Sequence, residues 1–236
     1  MKKKIIALVC CRGGSKGIPN KNIKLFHGKP MIYWTFKNII ESKIFNTVYL
    51  STDSEKIAKI GKKIGFIVPE LRPKKLARNN SDVFETHKYF FKNFNIKDKN
   101  SLVCIINNNP FIFSKYIKKS FVVFKKSFFQ KIVMGAISIS SDQVYYRQYV
   151  KKNNELVALF KKDLLKSKIN RKKNKIFFNV GDLRWGKPSY LDNYKKFNKM
   201  ITNFGLAYFE IKEDEYQDIN TINDWNLAKL KFKRLK

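Results

Sequence analysis

The stretch IIALVCCRGGSKGIPNKNIKLFHGKPMI, residues 5–32, decides the fold class of this 236-residue chain. An apolar run within residues 4–11 is typical of a strand that is buried on both faces of a parallel sheet. The run ends in a glycine-rich turn, and residues 30–42 then read as a helix. A buried strand, a glycine-rich loop and a helix form the first unit of an α/β sheet, in which ligands bind at the loops that follow the strands.

The same alternation continues along most of the chain. Further strands are predicted at residues 47–53, 66–68, 101–107, 132–138 and 205–211, and further helices from residue 54 and at residues 82–95, 114–126 and 221–235. Between the strand at 132–138 and Trp185 the alternation is lost, so we expect a small excursion such as a hairpin arm at about residues 140–188. The length suits one domain, and we predict a single α/β domain over residues 1–236 with a Rossmann-like, mainly parallel central sheet.

The composition indicates a packed globule. Hydrophobic residues make up 44% of the chain and aromatic residues 15%, which is enough apolar surface to offset chain entropy and argues against disorder. The apolar runs are far shorter than the roughly 20 residues of a membrane-spanning helix, and the basic N-terminus lacks a signal-peptide cleavage pattern. Cys10, Cys11 and Cys104 have no metal-type spacing, so we interpret them as buried thiols. We therefore expect a cytoplasmic protein without membrane insertion.

The net charge of +32, from 50 basic and 18 acidic residues, would attract polyanions of any kind. The basic residues are spread along the whole chain, and the abundance of Lys, Ile, Asn and Phe is also what an AT-rich coding bias produces. Nucleic-acid binding through the basic surface is therefore one hypothesis, and a composition bias without a selected anionic partner is the other. Residues 118–129 interleave Lys and Phe, which fits either a nucleic-acid surface or an amphipathic helix with a solvated lysine face.

Residues 12–22 have the composition of an anion-binding loop. Glycines let the backbone approach a phosphate closely, and Arg12, Lys16 and Lys21 can neutralise the charge of a triphosphate. The loop matches neither the G-x-x-x-x-G-K-[ST] pattern nor the G-x-G-x-x-G pattern. The residues therefore predict polyphosphate binding without supporting an ordinary ATPase or a dinucleotide-binding protein.

The full string at residues 5–32 closely resembles the opening of the CMP-sialic acid synthetases, the cytidylyltransferases of sialic and related nonulosonic acids. VYLSTDSEKIAKIGKKIG at 48–65 and VPELRPKKLARNNSDV at 68–83 are similar to the S-T-D and L-R-P-x-x-L-A segments of that family, in the same order. Residues 178–181 resemble its N-G-A segment, and residues 217–225 resemble D-I-D-T-x-x-D-[WL].

The resemblance implies an α/β nucleotidyltransferase fold that transfers CMP from CTP to the anomeric hydroxyl of an acidic nine-carbon sugar and releases pyrophosphate. It also implies a divalent metal, normally Mg²⁺, a role in cell-surface glycan biosynthesis, and a homodimer in which the excursion reaches the partner subunit. A cytidylyltransferase for another acidic sugar, such as an octulosonic acid, is the alternative within the same fold. A decayed transferase that binds nucleic acid is the alternative from another class.

The resemblance also assigns candidate site residues. Catalytic roles fall on Lys21, Arg12 and Lys16, with Lys21 as the best single candidate. The nucleotide-binding set is Arg12, Gly13, Gly14, Ser15, Lys16, Asn22, Arg72 and Asn107, and the metal-binding pair is Asp218 and Asn220. A phosphate attacked by a sugar hydroxyl needs positioning and charge neutralisation more than covalent catalysis, which explains these residue types.

The sequence departs from the family pattern in three places. Asn220 replaces the second aspartate of D-I-D, and the asparagines at 107–109 stand where the family has L-Q-P-T-S-P. Residues 179–181 read N-V-G instead of N-G-A, and the arginines that precede this segment in the family have only a loose counterpart in Arg171, which leaves the ligand of the sugar carboxylate unassigned. For the asparagines at 107–109 we favour altered sugar specificity over a decayed site, whereas Asn220 is a weaker ligand for a hard cation and bears on metal affinity and activity.

Several polar residues have structural interpretations beside the functional ones. Asp224, three residues after Thr221, suits a helix cap, and Ser54 suits another. Asp53 follows a strand and can hold a turn. His27 and His87 are too far apart in sequence to suggest a metal pair, so we assign them structural or surface roles.

Overall fold

The computed structural model of the chain describes residues 3–78, 80–94, 96, 101–139, 149–152, 155–158 and 176–235. The strands are β1 (Lys4–Cys10), β2 (Leu25–Phe26), β3 (Lys29–Pro30), β4 (Thr47–Ser51), β5 (Ser101–Asn107), β6 (Val133–Ile139), β7 (Tyr149–Lys152), β8 (Glu155–Ala158), β9 (Ile176–Gly186) and β10 (Ala207–Glu210). The α-helices are α1 (Met31–Ser42), α2 (Glu55–Ile64), α3 (Val83–Asn93), α4 (Ser114–Lys126), α5 (Pro188–Leu191), α6 (Tyr194–Phe204) and α7 (Ile222–Arg234). Short 3₁₀ turns lie at Lys21–Ile23, Lys74–Ala77 and Glu213–Glu215.

Six strands form the central sheet in the order β10-β6-β9-β5-β1-β4. β1 pairs in parallel with both β4 and β5, and β10 pairs in parallel with β6. Only β9 runs antiparallel to its neighbours β5 and β6. The predicted α/β class with a mainly parallel sheet is therefore confirmed.

The sheet is covered on both faces, which is why β1 reads as a continuous apolar run. Ala7 and Val9 point into one core, together with residues of α1, α2, α4 and α7. Ile6 and Leu8 point into the core on the opposite face, together with residues of α3, α5 and α6. A parallel strand between two helical layers has no face in contact with solvent, so its residues do not alternate between polar and apolar.

Two sequence predictions about strands need correction. The strand predicted at residues 66–68 is a single parallel bridge between Ile67 and Tyr49, and Pro69 directly after it has no backbone N–H with which to extend the ladder. The region up to Trp185, which we expected to be irregular, contains the long central strand β9. Asn179, Asp182 and Arg184 interrupt the apolar pattern of β9 and hide it from periodicity.

The predicted excursion at residues 140–188 lies partly outside the described residues. Within it, β7 and β8 form a separate two-stranded antiparallel sheet, the hairpin arm that the sequence suggested. Residues 140–148, 153–154 and 159–175 fall outside the described residues. Whether the arm belongs to a homodimer contact stays a prediction.

Two helix caps hold as the sequence predicted. The Ser54 side chain accepts a hydrogen bond from the N–H of Ile57 at the start of α2. Thr221 and Asp224 form a capping box at the start of α7. Among the described residues, no helix is both long and apolar enough to cross a membrane.

His87 has a structural position, as we expected. Its side chain is only 1% exposed, and its Nδ1 lies 3.0 Å from the carbonyl oxygen of Leu191, which joins α3 to α5. Burial lowers the pKa of His87 to about 4, and the charges of Arg184 and Arg72 act in the same direction. His27 instead places Nε2 2.9 Å from the carbonyl oxygen of Lys229 on α7.

We expect His87 to make the fold sensitive to mild acid. An unfolded His takes up its proton near pH 6.5, so between pH 6.5 and 4 the unfolded chain binds more protons at this residue than the folded chain. The contribution of His87 to the free energy of unfolding should therefore fall as the pH drops through that window, by on the order of 3 kcal/mol. Asp182, whose burial raises its pKa to about 6, contributes in the opposite sense as the pH falls through 6. Urea unfolding of the wild type and of His87→Leu at pH 7, 5.5 and 4 isolates the contribution of the histidine. If the free energy of unfolding fell equally with pH in both proteins, His87 would not be the cause.

Candidate functional site

A cavity of about 550 Å³ lies at the carboxyl ends of β1 and β5. Its walls come from the loop after β1, the loop after β5, the middle of β9 and the segment before α7. The lining residues are Cys10, Arg12, Ser15, Lys16, Gly17, Lys21, Asn22, Asn107, Asn108, Asn109, Val180, Asp182, Asp218, Ile219 and Asn220. Loops that follow neighbouring parallel strands meet at one edge of a sheet, so the topology gathers residues that are up to 210 positions apart.

Most of the predicted site residues share this cavity. Those that line it are Arg12, Ser15, Lys16, Lys21, Asn22, Asn107, Asp218 and Asn220. Gly13, Gly14 and Arg72 are not among its lining residues. Their proposed nucleotide contacts stay predictions, because no nucleotide is present to test them.

Gly13 and Arg72 both contact the side chain of Asp53. Its Oδ1 accepts a hydrogen bond of 2.9 Å from the backbone N–H of Gly13 and lies 3.8 Å from Nη2 of Arg72. Arg72 is itself buried, and its backbone N–H donates to the carbonyl of Thr52. Asp53 therefore ties the glycine-rich loop to the segment after β4, which extends the turn-holding role that the sequence suggested.

The glycine-rich loop packs directly on the segment that carries Asp218 and Asn220. A Cβ atom added to Gly17 would lie 1.9 Å from the carbonyl oxygen of Asn220, so a side chain has no room there. Lys21 strengthens this contact, because its Nζ donates a hydrogen bond of 2.6 Å to the carbonyl oxygen of Ile219. The predicted catalytic lysine and the predicted metal ligands are thus held side by side.

Asn22 and Asn108 form a chain of hydrogen bonds behind the loop. The Thr35 hydroxyl on α1 donates to Oδ1 of Asn108 at 2.6 Å, and Nδ2 of Asn108 donates to Oδ1 of Asn22 at 2.9 Å. Nδ2 of Asn22 then donates to the carbonyl oxygen of Arg12 at 2.9 Å. Both amide groups therefore fix the position of the loop that presents Arg12, in addition to lining the cavity.

Asp182 is a site residue that the sequence analysis missed. Its Oδ2 accepts hydrogen bonds from the Tyr216 hydroxyl at 2.6 Å and from Nδ2 of Asn109 at 2.7 Å. Burial is the largest influence on this carboxyl group and raises its pKa to about 6, against the opposing effect of these donors. Its one sequence signal was its place directly after the N-V-G that resembles N-G-A, in a region that we expected to be irregular.

Asp218 and Asn220 lie next to each other, as the predicted metal pair requires. Nδ2 of Asn220 donates a hydrogen bond of 2.7 Å to Oδ2 of Asp218. Asp224 is engaged elsewhere, since its Oδ2 accepts from the backbone N–H groups of Asn220 and Thr221. No cluster of three or more His, Cys, Asp or Glu side chains that could hold a metal occurs within the part of the chain that the structure describes.

The cavity is divided by charge. Arg12, Lys16 and Lys21 all come from the glycine-rich loop, whereas Asp182 and Asp218 come from β9 and from the segment before α7. The cationic side suits a polyphosphate, and the carboxylate of Asp218 suits a hard cation that shares oxygen ligands with that phosphate. This arrangement favours transfer of a phosphoryl-linked group, in which positioning and charge neutralisation supply most of the catalysis.

Comparison with known proteins agrees with this chemistry. The family model described as cytidylyltransferase matches residues 6–223. The N-acylneuraminate cytidylyltransferase of Oncorhynchus mykiss is 27% identical over 228 residues, which are 96% of this chain and 50% of that protein. The pseudaminic acid cytidylyltransferase of Campylobacter jejuni serotype O:2 is 27% identical over 241 residues, which are 98% of this chain and 97% of that protein. The chain thus spans about half the length of the first relative and nearly all of the second.

Solved structures support the fold. CMP:2-keto-3-deoxy-manno-octonic acid synthetase, solved with CTP, superposes with a TM-score of 0.74 and covers 99% of this chain and 100% of its own. Its sequence is 13% identical to this chain, so the likeness concerns the fold alone.

Proposed function

The chain belongs to the cytidylyltransferase family, and from this premise we propose that it transfers CMP from CTP to the anomeric hydroxyl of a sialic-acid-like nonulosonic acid. The observation that carries the proposal is the convergence of Arg12, Lys16 and Lys21 with Asp218 in one cavity. The relatives that span most of this chain act, by their names, on N-acylneuraminate and pseudaminic acid. A role in cell-surface glycan biosynthesis, a cytoplasmic location and a homodimer are part of the proposal.

In the proposed reaction the anomeric oxygen of the sugar attacks the α-phosphorus of CTP, and its hydroxyl proton passes to solvent. The bond from that phosphorus to the oxygen bridging the α- and β-phosphates breaks, and pyrophosphate leaves with the bridging oxygen. Arg12, Lys16 and Lys21 neutralise the phosphates and hold them in line for attack. The Asn108–Asn22 chain keeps the loop in place during the step, because it fixes the carbonyl of Arg12.

For the metal we propose Mg²⁺, and the donor set fits it. Asp218 offers a carboxylate and Asn220 an amide oxygen, and Mg²⁺ takes its remaining ligands from water and substrate phosphates. The ion, when bound, would neutralise negative charge on the triphosphate. The amide of Asn220 is a weaker ligand than the aspartate in the family pattern.

The test is pyrophosphate release from the purified chain with each of the four nucleoside triphosphates, Mg²⁺ and a panel of nonulosonic and octulosonic acids. We expect turnover only with CTP and a nonulosonic acid. Turnover with an octulosonic acid alone would move the substrate to the alternative class. Properly folded protein with no turnover and no thermal stabilisation by CTP would contradict the proposal.

Substitutions at the two proposed metal ligands should change the Mg²⁺ requirement in opposite directions. Asn220→Asp should lower the Mg²⁺ concentration for half-maximal rate by about 10-fold, because a second carboxylate joins Asp218. Asp218→Asn should raise that concentration and reduce the rate by about 10- to 100-fold. Titration of Mg²⁺ in the pyrophosphate assay, together with the rise in Tm on adding Mg²⁺ and CTP, measures both effects. Equal Mg²⁺ requirements in all three proteins would remove both residues from the metal site.

A further inference from the structure

Asp182 is a buried carboxyl group in the wall of the cavity, and nothing in the family pattern assigns it a role. Its side chain is 9% exposed, yet it lines the cavity between Val180 and the segment at 218–220. No lysine or arginine forms an ion pair with it among the residues that the structure describes. Within the described part of the chain this acidic group therefore lies in a desolvated wall without a neutralising cation, which costs folding free energy.

The neighbours of Asp182 hold it in one orientation. Tyr216 and Asn109 both donate to Oδ2. Asn109 is in turn fixed, because its Oδ1 accepts from the backbone N–H of Phe111. Hydrogen bonds on one oxygen fix the direction of the other, so the carboxyl group presents a preformed acceptor to the cavity.

The charge division of the cavity decides which ligand group can meet this acceptor. The triphosphate and the sugar carboxylate are both anionic, and the Asp182 carboxylate repels them from the β9 wall, whereas Asp218 would meet the triphosphate through Mg²⁺. The cations of the described lining, Arg12, Lys16 and Lys21, all lie on the glycine-rich loop. A hydroxyl or an acylamido N–H group of the sugar, by contrast, can donate to a carboxylate oxygen.

We propose that Asp182 is a specificity-determining residue that accepts a hydrogen bond from a hydroxyl or acylamido N–H group of the acidic sugar and orients the sugar carboxylate away from β9. This inference rests on the proposed cytidylyltransferase function. It gives Asn109 a purpose, because its Nδ2 donates to Asp182 and so fixes the acceptor. It also explains why a polar residue occupies a buried position in β9.

The decisive variant is Asp182→Asn, which keeps the size of the side chain. Its amide oxygen can take the place of Oδ2 and accept from Tyr216 and Asn109, and its Nδ2 then replaces the remaining oxygen. The acceptor that faces the sugar thereby becomes a donor. We expect KM for the sugar to rise about 10- to 100-fold, with kcat within a few-fold of wild type and with KM for CTP unchanged.

The experiment measures both KM values, the affinity for CTP without sugar by calorimetry, and Tm, for the wild type, Asp182→Asn and Asp214→Asn. Asp214 is the charge-matched control, because its side chain is 64% exposed and pairs with Arg234 outside the cavity. Sugar analogues that each lack one hydroxyl or acylamido group complete a double-mutant cycle between protein and ligand. For the analogue without the proposed donor, Asp182→Asn should no longer raise KM.

The possible outcomes separate the two proposals. An active wild type with an unchanged sugar KM in Asp182→Asn overturns this inference and leaves the proposed function intact. A loss of CTP or Mg²⁺ affinity in Asp182→Asn places the group on the nucleotide side and overturns it as well. A rise in sugar KM that is the same for every analogue shows a general structural effect and also overturns it. A wild type that turns over no nonulosonic acid contradicts the proposed function itself, and the sugar role of Asp182 falls with it.

Discussion

Lys21→Ala is expected to lower kcat for pyrophosphate release by about 1000-fold, which abolishes turnover in an ordinary assay. The Lys21 ammonium lies in the cavity beside the segment at 218–220, where its Nζ donates to the carbonyl oxygen of Ile219. This position allows it to contact the reacting phosphates, and its charge gains strength as negative charge moves onto the leaving pyrophosphate. An interaction that grows during the reaction affects kcat, so KM for CTP should change much less.

The controls separate the charge of Lys21 from its structural contact. Lys24→Ala removes an exposed lysine that lies outside the cavity lining, and it should retain wild-type kcat. Lys21→Arg keeps the charge but changes its geometry, so we expect a partial loss. Tm of each variant reports any structural effect of losing the hydrogen bond to Ile219. Wild-type kcat in Lys21→Ala, with pyrophosphate release measured at saturating CTP and sugar, would rule out a catalytic role.

The sequence of the first strand, loop and helix predicted the fold class, because the conformation of each of these segments follows from residues that are close together in the chain. From Ile5 to Cys10 β1 is continuously apolar because both of its faces are covered there, and the glycine-rich loop follows it as in other α/β sheets. β9 escaped prediction because it pairs antiparallel with β5 and β6 and carries polar residues that serve the cavity. A strand shaped by its ligand site loses the periodicity on which sequence prediction depends.

The site divides in the same way. Arg12, Lys16, Lys21, Asp218 and Asn220 were predictable because they occur in recognisable segments. The roles of the asparagines could not be predicted, because their partners lie far away in the sequence. The Asn108 side chain forms hydrogen bonds with Thr35 and Asn22, which are 73 and 86 positions away. The departure from L-Q-P-T-S-P therefore combines two functions. Asn108 supports the phosphate side of the cavity, and Asn109 supports Asp182 on the other side.

Gly17→Ala should be the most damaging single-methyl change in the cavity. The added Cβ would lie 1.9 Å from the carbonyl oxygen of Asn220 and 3.1 Å from its carbonyl carbon. These are backbone atoms, so the glycine-rich loop or the segment at 218–220 must move by more than 1 Å to reach an ordinary contact distance. A misplacement of that size can cost about 100-fold in rate, and overpacking costs about 1–3 kcal/mol of folding free energy. We expect kcat/KM to fall by at least about 100-fold and Tm to fall with it.

Gly14→Ala provides the matched control for stability, because a Cβ atom at that position would meet nothing within 4 Å. Its Tm should equal that of the wild type, whereas Gly17→Ala should unfold at a lower temperature. Pyrophosphate release and thermal unfolding of both variants test this pair. The physical reason is that Lys21 and Asp218 come from opposite ends of the chain and reach their working distance through the contact at Gly17, which the hydrogen bond from Lys21 to Ile219 reinforces. If Gly17→Ala kept both its Tm and its kcat/KM, the close packing of the loop on Asn220 could not be what aligns the cations of the loop with the carboxylate of Asp218.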